Sequence, residues 1–183
     1  MKTEDILLNF HCPRFLELAP VDLYLDQVLY VLNSTLQPLC EDGEPTIITA
    51  PMVNNYVKHN LLTPPLRKRY NREQLSALFV ICILKRVFSI TEIRHLLYTQ
   101  SLTYPRDVAY DYFCCEFENA IRFTFEADHT SMPFIGQERT TQTDLVRGMV
   151  LAVCSKLYVQ KILLTQPCNM LTVSAQKEHD AAL

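Results

Sequence analysis

The stretch Thr49-Ala-Pro-Met-Val-Asn-Asn-Tyr-Val-Lys-His-Asn-Leu-Leu62 decides how the rest of the chain is read. Thr49 is a good helix N-cap, and Pro51 fits the first turn, where backbone N–H groups lack partners anyway. The spacing predicts a helix to about His59. Asn60 can take the left-handed conformation that closes a helix, and Pro64-Pro65 prevent continuation. Val53, Tyr56 and Val57 form an inner stripe. Asn54, Asn55, Lys58 and His59 fall within about 140° of arc at ~100° per residue. That outer face is polar, rich in hydrogen-bonding groups, and free of carboxylates.

Working outward, Leu66–Tyr70 reads as a short extended piece carrying Arg67, Lys68 and Arg69. A helix over Glu73–Val87 follows. Its run from Ala77 to Leu84 is apolar all round, which predicts a central buried helix. Ser89-Ile-Thr-Glu92 is a capping box, so the next helix starts at Ile90 and runs to about Tyr98. Upstream, Leu25, Val28, Leu29 and Leu32 mark an amphipathic helix over Asp22–Leu36. Asp22 is placed to cap it, and Gln37–Pro45 is a linker with Pro and Gly breakers. Downstream, helices are expected over Pro105–Phe123 and Thr141–Leu164, with a loop at Glu126–Arg139 between them. A polar tail ends the chain.

Composition narrows the classes. The 183 residues include only 3 glycines, where average usage of ~7% gives about 13. Glycine-rich phosphate loops and turn-rich all-β folds are therefore poor candidates. No apolar stretch approaches the ~20 residues of a membrane span. Met1–Phe10 holds Glu4 and Asp5 and has no long apolar core, so no secretory leader is expected and the cytoplasm is. Seven cysteines without a Cys-x-x-Cys fit reduced thiols. Cys114-Cys115 point about 100° apart on a helix with no nearby His, which favours packing over metal. Asp107, Asp111, Glu116 and Glu118 read as the wet face of one helix. No nucleophile elbow, Walker loop or His-Glu-x-x-His motif occurs, so no enzyme and no cofactor is expected.

Charge is unevenly placed. Between Pro45 and Gln100 stand eight Lys and Arg against two Glu; the remainder has nine against eighteen acidic residues. A basic block in an acidic chain points to a localised anionic partner, of which nucleic acid is the commonest. Asn54 and Asn55 can pair with adenine edges, and Lys58 or His59 can donate to guanine acceptors. Arg67, Lys68 and Arg69 suit phosphates, which fix position but carry no sequence information directly.

These same residues carry a resemblance. Thr49–Leu62, Pro64-Pro65, Arg69-Tyr70 and Phe88-Ser-Ile-Thr-Glu-Ile93 resemble the recognition segment and following helices of MerR-type winged helix-turn-helix regulators. A closer match is to an uncharacterised bacterial "domain of unknown function" family placed near MerR. Its hallmarks resemble Asp22–Val28, Met52–Lys58, Arg69-Tyr70 and Leu84–Ile90. Asn54-Asn55 stand where MerR regulators have Arg-Tyr, and Asn60 stands for their helix-closing Gly.

The resemblance implies a mostly α fold: a MerR-like winged helix-turn-helix followed by a C-terminal helical pair, with at most a short β wing. With the helical pattern on either side, the expected organisation is an N-terminal segment at 1–21, a DNA-binding region at 22–100, a C-terminal helical region at 101–165 and a flexible tail at 166–183. The expected partner is double-stranded DNA, contacted at bases by Asn54, Asn55, Lys58 and His59. Phosphate contacts are expected from Thr49, Tyr56, Arg67, Lys68, Arg69 and Tyr70. MerR regulators are dimers, so a homodimer is the implied assembly, with no membrane partner and an unidentified effector. The expected function is sequence-specific transcriptional regulation. The alternative is a protein-interaction adaptor that retains the fold without DNA binding.

Overall fold

The computed structural model describes residues 3–40, 46–126, 131–136 and 138–165. The expected tail at 166–183 and most of the expected 37–45 linker lie outside these residues. Seven α-helices and one two-stranded antiparallel sheet are described: α1 Thr3–Leu8, β1 Leu23–Tyr24, α2 Leu25–Leu36, α3 Ala50–Lys58, β2 Arg69–Tyr70, α4 Arg72–Leu84, α5 Ile90–Thr103, α6 Arg106–Phe125 and α7 Thr141–Thr165. In the sheet Leu23 pairs with Tyr70 and Tyr24 with Arg69. No described helix is long and apolar enough to cross a membrane.

α4 is the central rod, as its unbroken apolar run predicts. Leu75 and every residue from Leu78 to Leu84 are buried. α2 and α6 pack on it directly, and α7 lies mainly against α6. The buried side chains from Leu7 to Leu157 form one continuous core. At ~25 cal/mol per Å² of apolar area, this burial is the main force holding the helices together.

Local chemistry sets the helix ends. Ser89 and Glu92 form the expected capping box: Ser89 N donates to Glu92 Oε2 at 2.7 Å, and Glu92 N donates to Ser89 Oγ at 3.3 Å. α2 begins three residues later than Asp22, because Leu23 and Tyr24 extend to join the sheet. Gln27 then satisfies the helix entry, accepting from Tyr24 N at 2.9 Å. α4 stops at Leu84 rather than Val87, and α5 runs on to Thr103, five residues past Tyr98.

The N-terminal segment overturns one reading. Of the four acidic residues on α6, Asp107 alone is exposed, whereas Glu116 and Glu118 are buried and Asp111 is partly buried. Residues 10–18 cover the face that carries Asp111 and Glu118. Arg14 donates two hydrogen bonds to the Glu118 carboxylate, at 2.8 and 2.7 Å, and Cys12 N adds a third at 2.8 Å. Phe15 N donates to Asp111 Oδ1 at 2.6 Å, and Tyr110 Oη donates to Pro13 O at 2.8 Å. Tyr112 Oη donates to Glu116 Oε1 at 2.9 Å. The Glu118 carboxylate carries three donors and is satisfied under cover, whereas Glu116 Oε2 is buried with no hydrogen-bond partner among the described residues.

Cys12, Cys82, Cys114, Cys115 and Cys154 form no disulfide. Burial pushes the Cys82 thiol up to about 12 and raises Cys114, Cys115 and Cys154 as well. Thiols raised in this way stay protonated and unreactive, consistent with a packing role.

Burial acts to raise the Glu118 carboxyl, yet the hydrogen bonds from Arg14 and the Cys12 amide hold it below the usual carboxylate range. A depressed folded-state pKa contributes stability above the unfolded value of about 4.3, and that contribution is lost as pH falls through the folded value. In urea titrations at neutral pH, Glu118→Gln is expected to lose about 1.5–3 kcal/mol, the range for hydrogen bonds to a charged group. Below about pH 4.3 the gap between variant and parent is expected to narrow.

Candidate nucleic-acid interface

The candidate surface is built from α3 and the segment joining it to α4. α3 is oriented first by Asn33 of α2, whose side chain spans the approach to the helix. Asn33 Nδ2 donates to Ile48 O at 3.0 Å and to Leu29 O at 2.9 Å. Its Oδ1 accepts from Ile47 N at 2.8 Å and Ile48 N at 3.1 Å. Lys85 Nζ donates to Ile47 O from the end of α4. Thr49 occupies the N-cap position with extended backbone, but its hydroxyl caps nothing.

The far end closes as a Schellman motif. Asn60 takes φ 54°, its N–H bonds Val57 O at 3.1 Å, and Leu61 N bonds Tyr56 O at 2.9 Å. Asparagine tolerates this conformation better than most residues, so no glycine is needed.

Val53 and Tyr56 are buried, so α3 presents the opposite face outward. Asn54, Asn55, Lys58 and His59 are all exposed, as the spacing predicts. Arg67, Lys68 and Arg69 are exposed too, while Thr49 is half-buried. Tyr56 and Tyr70 belong to the core, with 5% and 4% of their surface exposed. Burial pushes the Tyr56 phenol up to about 12 and raises that of Tyr70. Any anion contact from these two uses only the hydroxyl edge.

The basic segment is not the extended piece that its sequence suggests. Arg69 N donates to Leu66 O at 2.9 Å, closing a four-residue turn, and only Arg69–Tyr70 is strand. The two central residues, Arg67 and Lys68, have φ of 50° and 63°. Tight hairpin turns of this type call for positive φ at both central positions and favour Asn-Gly. Two long cations stand there instead, each at a cost of about 1–2 kcal/mol. Such strain persists where surrounding structure over-determines it, and it clusters at functional positions.

The surrounding structure is explicit. Gln74, 6% exposed, donates through Nε2 to Thr63 O at 2.8 Å and Pro64 O at 3.1 Å. Arg69 stacks 4.7 Å from the Tyr24 ring centre and donates to its hydroxyl at 2.9 Å. Tyr24 is therefore part of the site, a role its sequence setting does not signal. Other cations of the basic block are occupied elsewhere: Lys85 braces α3, and Arg72 lies over the Phe15 ring at 5.5 Å. Lys58, Arg67 and Lys68 make no ion pair or side-chain hydrogen bond among the described residues. Beside α3, these three are the cations open to a partner. No group of three His, Cys, Asp or Glu side chains suited to a metal occurs among the described residues.

Residues 13–113 match the family described as Domain of unknown function (DUF1836). No curated protein and no solved structure matches the chain.

The turn geometry makes a stability prediction. Glycine adopts positive φ without a Cβ clash, so Arg67→Gly and Lys68→Gly are each expected to raise folding stability by up to about 1 kcal/mol. Chemical denaturation of the single variants measures this. Alanine at the same positions keeps the strain and is expected to leave stability near the parent value.

Proposed function

The chain belongs to the DUF1836 family, and on that footing we propose that it is a sequence-specific DNA-binding transcriptional regulator of winged helix-turn-helix type. One observation carries this reading. An outward helix face of amides and cations without a carboxylate is followed, six residues after Asn60, by a strained turn displaying two unpaired cations.

The chemistry fits a duplex. The major groove is ~12 Å wide and admits an α-helix. α3 would lie in it, with Asn54 and Asn55 reading adenine edges and Lys58 and His59 donating to guanine. Arg67 and Lys68 would neutralise phosphates at the tip of the turn, and Arg69 would do so from its stack on Tyr24. Thr49, Tyr56 and Tyr70 would add hydroxyl contacts at the edge of the footprint. The element order supports the MerR-like reading: a strand leading into α2, then α3, the turn, the strand that returns to pair with the first, and α4 and α5 behind. The wing is reduced to a four-residue turn, so it can touch the backbone but cannot embrace it. Thiols at Cys12, Cys82, Cys114, Cys115 and Cys154, none in a disulfide, suit a reducing cytoplasm.

Selection of bound sequences from random duplexes, followed by gel-shift titration in salt, tests the reading. Log affinity is expected to fall against log salt with a slope of about −0.9 per neutralised phosphate, hence about −3 per protomer for Arg67, Lys68 and Arg69. Arg67→Ala or Lys68→Ala should weaken all duplexes alike and flatten that slope. Asn54→Ala or Asn55→Ala should relax the selected sequence by about 1–3 kcal/mol per good base contact. No enriched sequence and no salt slope, with one protein captured at near-stoichiometric level, would favour the adaptor reading instead.

A further inference from the structure

Behind the candidate interface, α4, α5 and α6 enclose a cleft of about 380 Å³. Each helix lines it with a strip at i, i+3, i+4, i+7 spacing, and each strip begins on a charged residue: Glu73, Arg94 and Arg106. Two strips continue with the small side chains Ser76, Ala77 and Ala109, which leave the space between the helices unfilled. Aliphatic and aromatic side chains make most of the remaining wall. Ligand sites typically span ~300–1,000 Å³ and combine an apolar lining with a few placed polar groups.

The polar groups here are few and unequal. Arg106 Nη1 donates to Glu73 Oε2 at 2.9 Å, so these two charges satisfy each other. Arg94 makes no ion pair among the described residues, which leaves the rim with one uncompensated positive charge. Deeper in the cleft, Gln100 is only 9% exposed. Its Nε2 makes one long hydrogen bond to Gln142 O at 3.3 Å, and its Oε1 accepts none among the described residues. The carboxamide lines the cleft, so its oxygen is free to accept from a molecule bound there.

We propose that this cleft is a binding site for a small molecule with an apolar body, about the size of two fused rings, and a single carboxylate. The body fills the space left by Ser76, Ala77 and Ala109. The carboxylate meets Arg94, and a polar atom of the ligand satisfies Gln100. This assignment is independent of DNA binding, because it is read on the free protein.

2-Naphthoate is the probe, and neutral 2-naphthol, which keeps the fused rings without the carboxylate, is the control. Calorimetric titration of the full chain is expected to show saturable binding of 2-naphthoate, with a thermal midpoint that rises with its concentration. Ala109→Leu places a side chain in the void and should weaken binding roughly tenfold or more. Ala77→Val does the same from α4 and gives the same readout should Ala109→Leu fold poorly. Arg94→Gln should weaken 2-naphthoate by about fivefold, the scale of an exposed ion pair, and leave 2-naphthol unchanged. Absence of saturable binding to the parent protein overturns the site. Parent-like binding by the correctly folded filled variants overturns its location, and equal effects of Arg94→Gln on both probes overturn the carboxylate.

Discussion

The carboxamide of Gln74 holds the segment on which the candidate interface depends. Its Oε1 accepts from Asn71 N at 2.9 Å, while its Nε2 takes the carbonyls of Thr63 and Pro64. Asn71 Oδ1 in turn accepts from Gln74 N at 2.9 Å, so one reciprocal box caps α4 and ties it to the exit from α3. Both ends of residues 63–71 are thus pinned to a buried helix. The turn between them has no freedom to relax into the extended form that Arg67 and Lys68 would prefer as L-residues. Tyr70, buried beside β1, removes the remaining slack. Strain of a few kcal/mol is small against the burial of α4, and the fold can hold it indefinitely.

Periodicity made much of the helical frame readable. Eight apolar residues from Ala77 to Leu84 have nowhere to go but the centre, and Ser89 to Glu92 spells a helix start through side-chain chemistry alone. Asn60 was legible for the same reason, since few residues take a left-handed closure readily. What stayed hidden depends on contacts distant in sequence. Glu118 reads as surface on its own helix, but its partner Arg14 lies 104 residues earlier. The turn at 66–69 reads as extended because its sequence lacks Gly and Asn; the positive φ angles are imposed from outside by the sheet and Gln74. The exposed face of α3 was legible from spacing, whereas the involvement of Tyr24 came only from pairing β1 with β2.

The basic block also divides into two populations that charge counting merges. Cations close to the core are structural. Lys85 supports the start of α3, Arg69 stacks on Tyr24, and Arg72 covers Phe15 while reaching Ala19 O at 3.4 Å. Their aliphatic stems bury apolar surface, which is a normal use of long basic side chains. On or beside α3, Lys58, Arg67 and Lys68 make no such contact among the described residues. The surplus of six positive charges therefore overstates the electrostatic reach of the surface, and the three free cations describe it better.

One wall separates the candidate interface from the cleft behind it. Leu61 and Leu62 line the cleft, and both of their amides donate to Tyr56 O, at 2.9 and 3.2 Å, closing the last turn of α3. Thr63 lines the cleft too, and its carbonyl is one of the two that Gln74 holds. These three residues thus carry both the cleft wall and the hydrogen bonds that end α3 and anchor the basic turn. The opposite end of α3 is held independently, by Asn33 and Lys85, with no residue of the cleft involved. The helix is thus clamped at its start and shares its finish with a cavity wall.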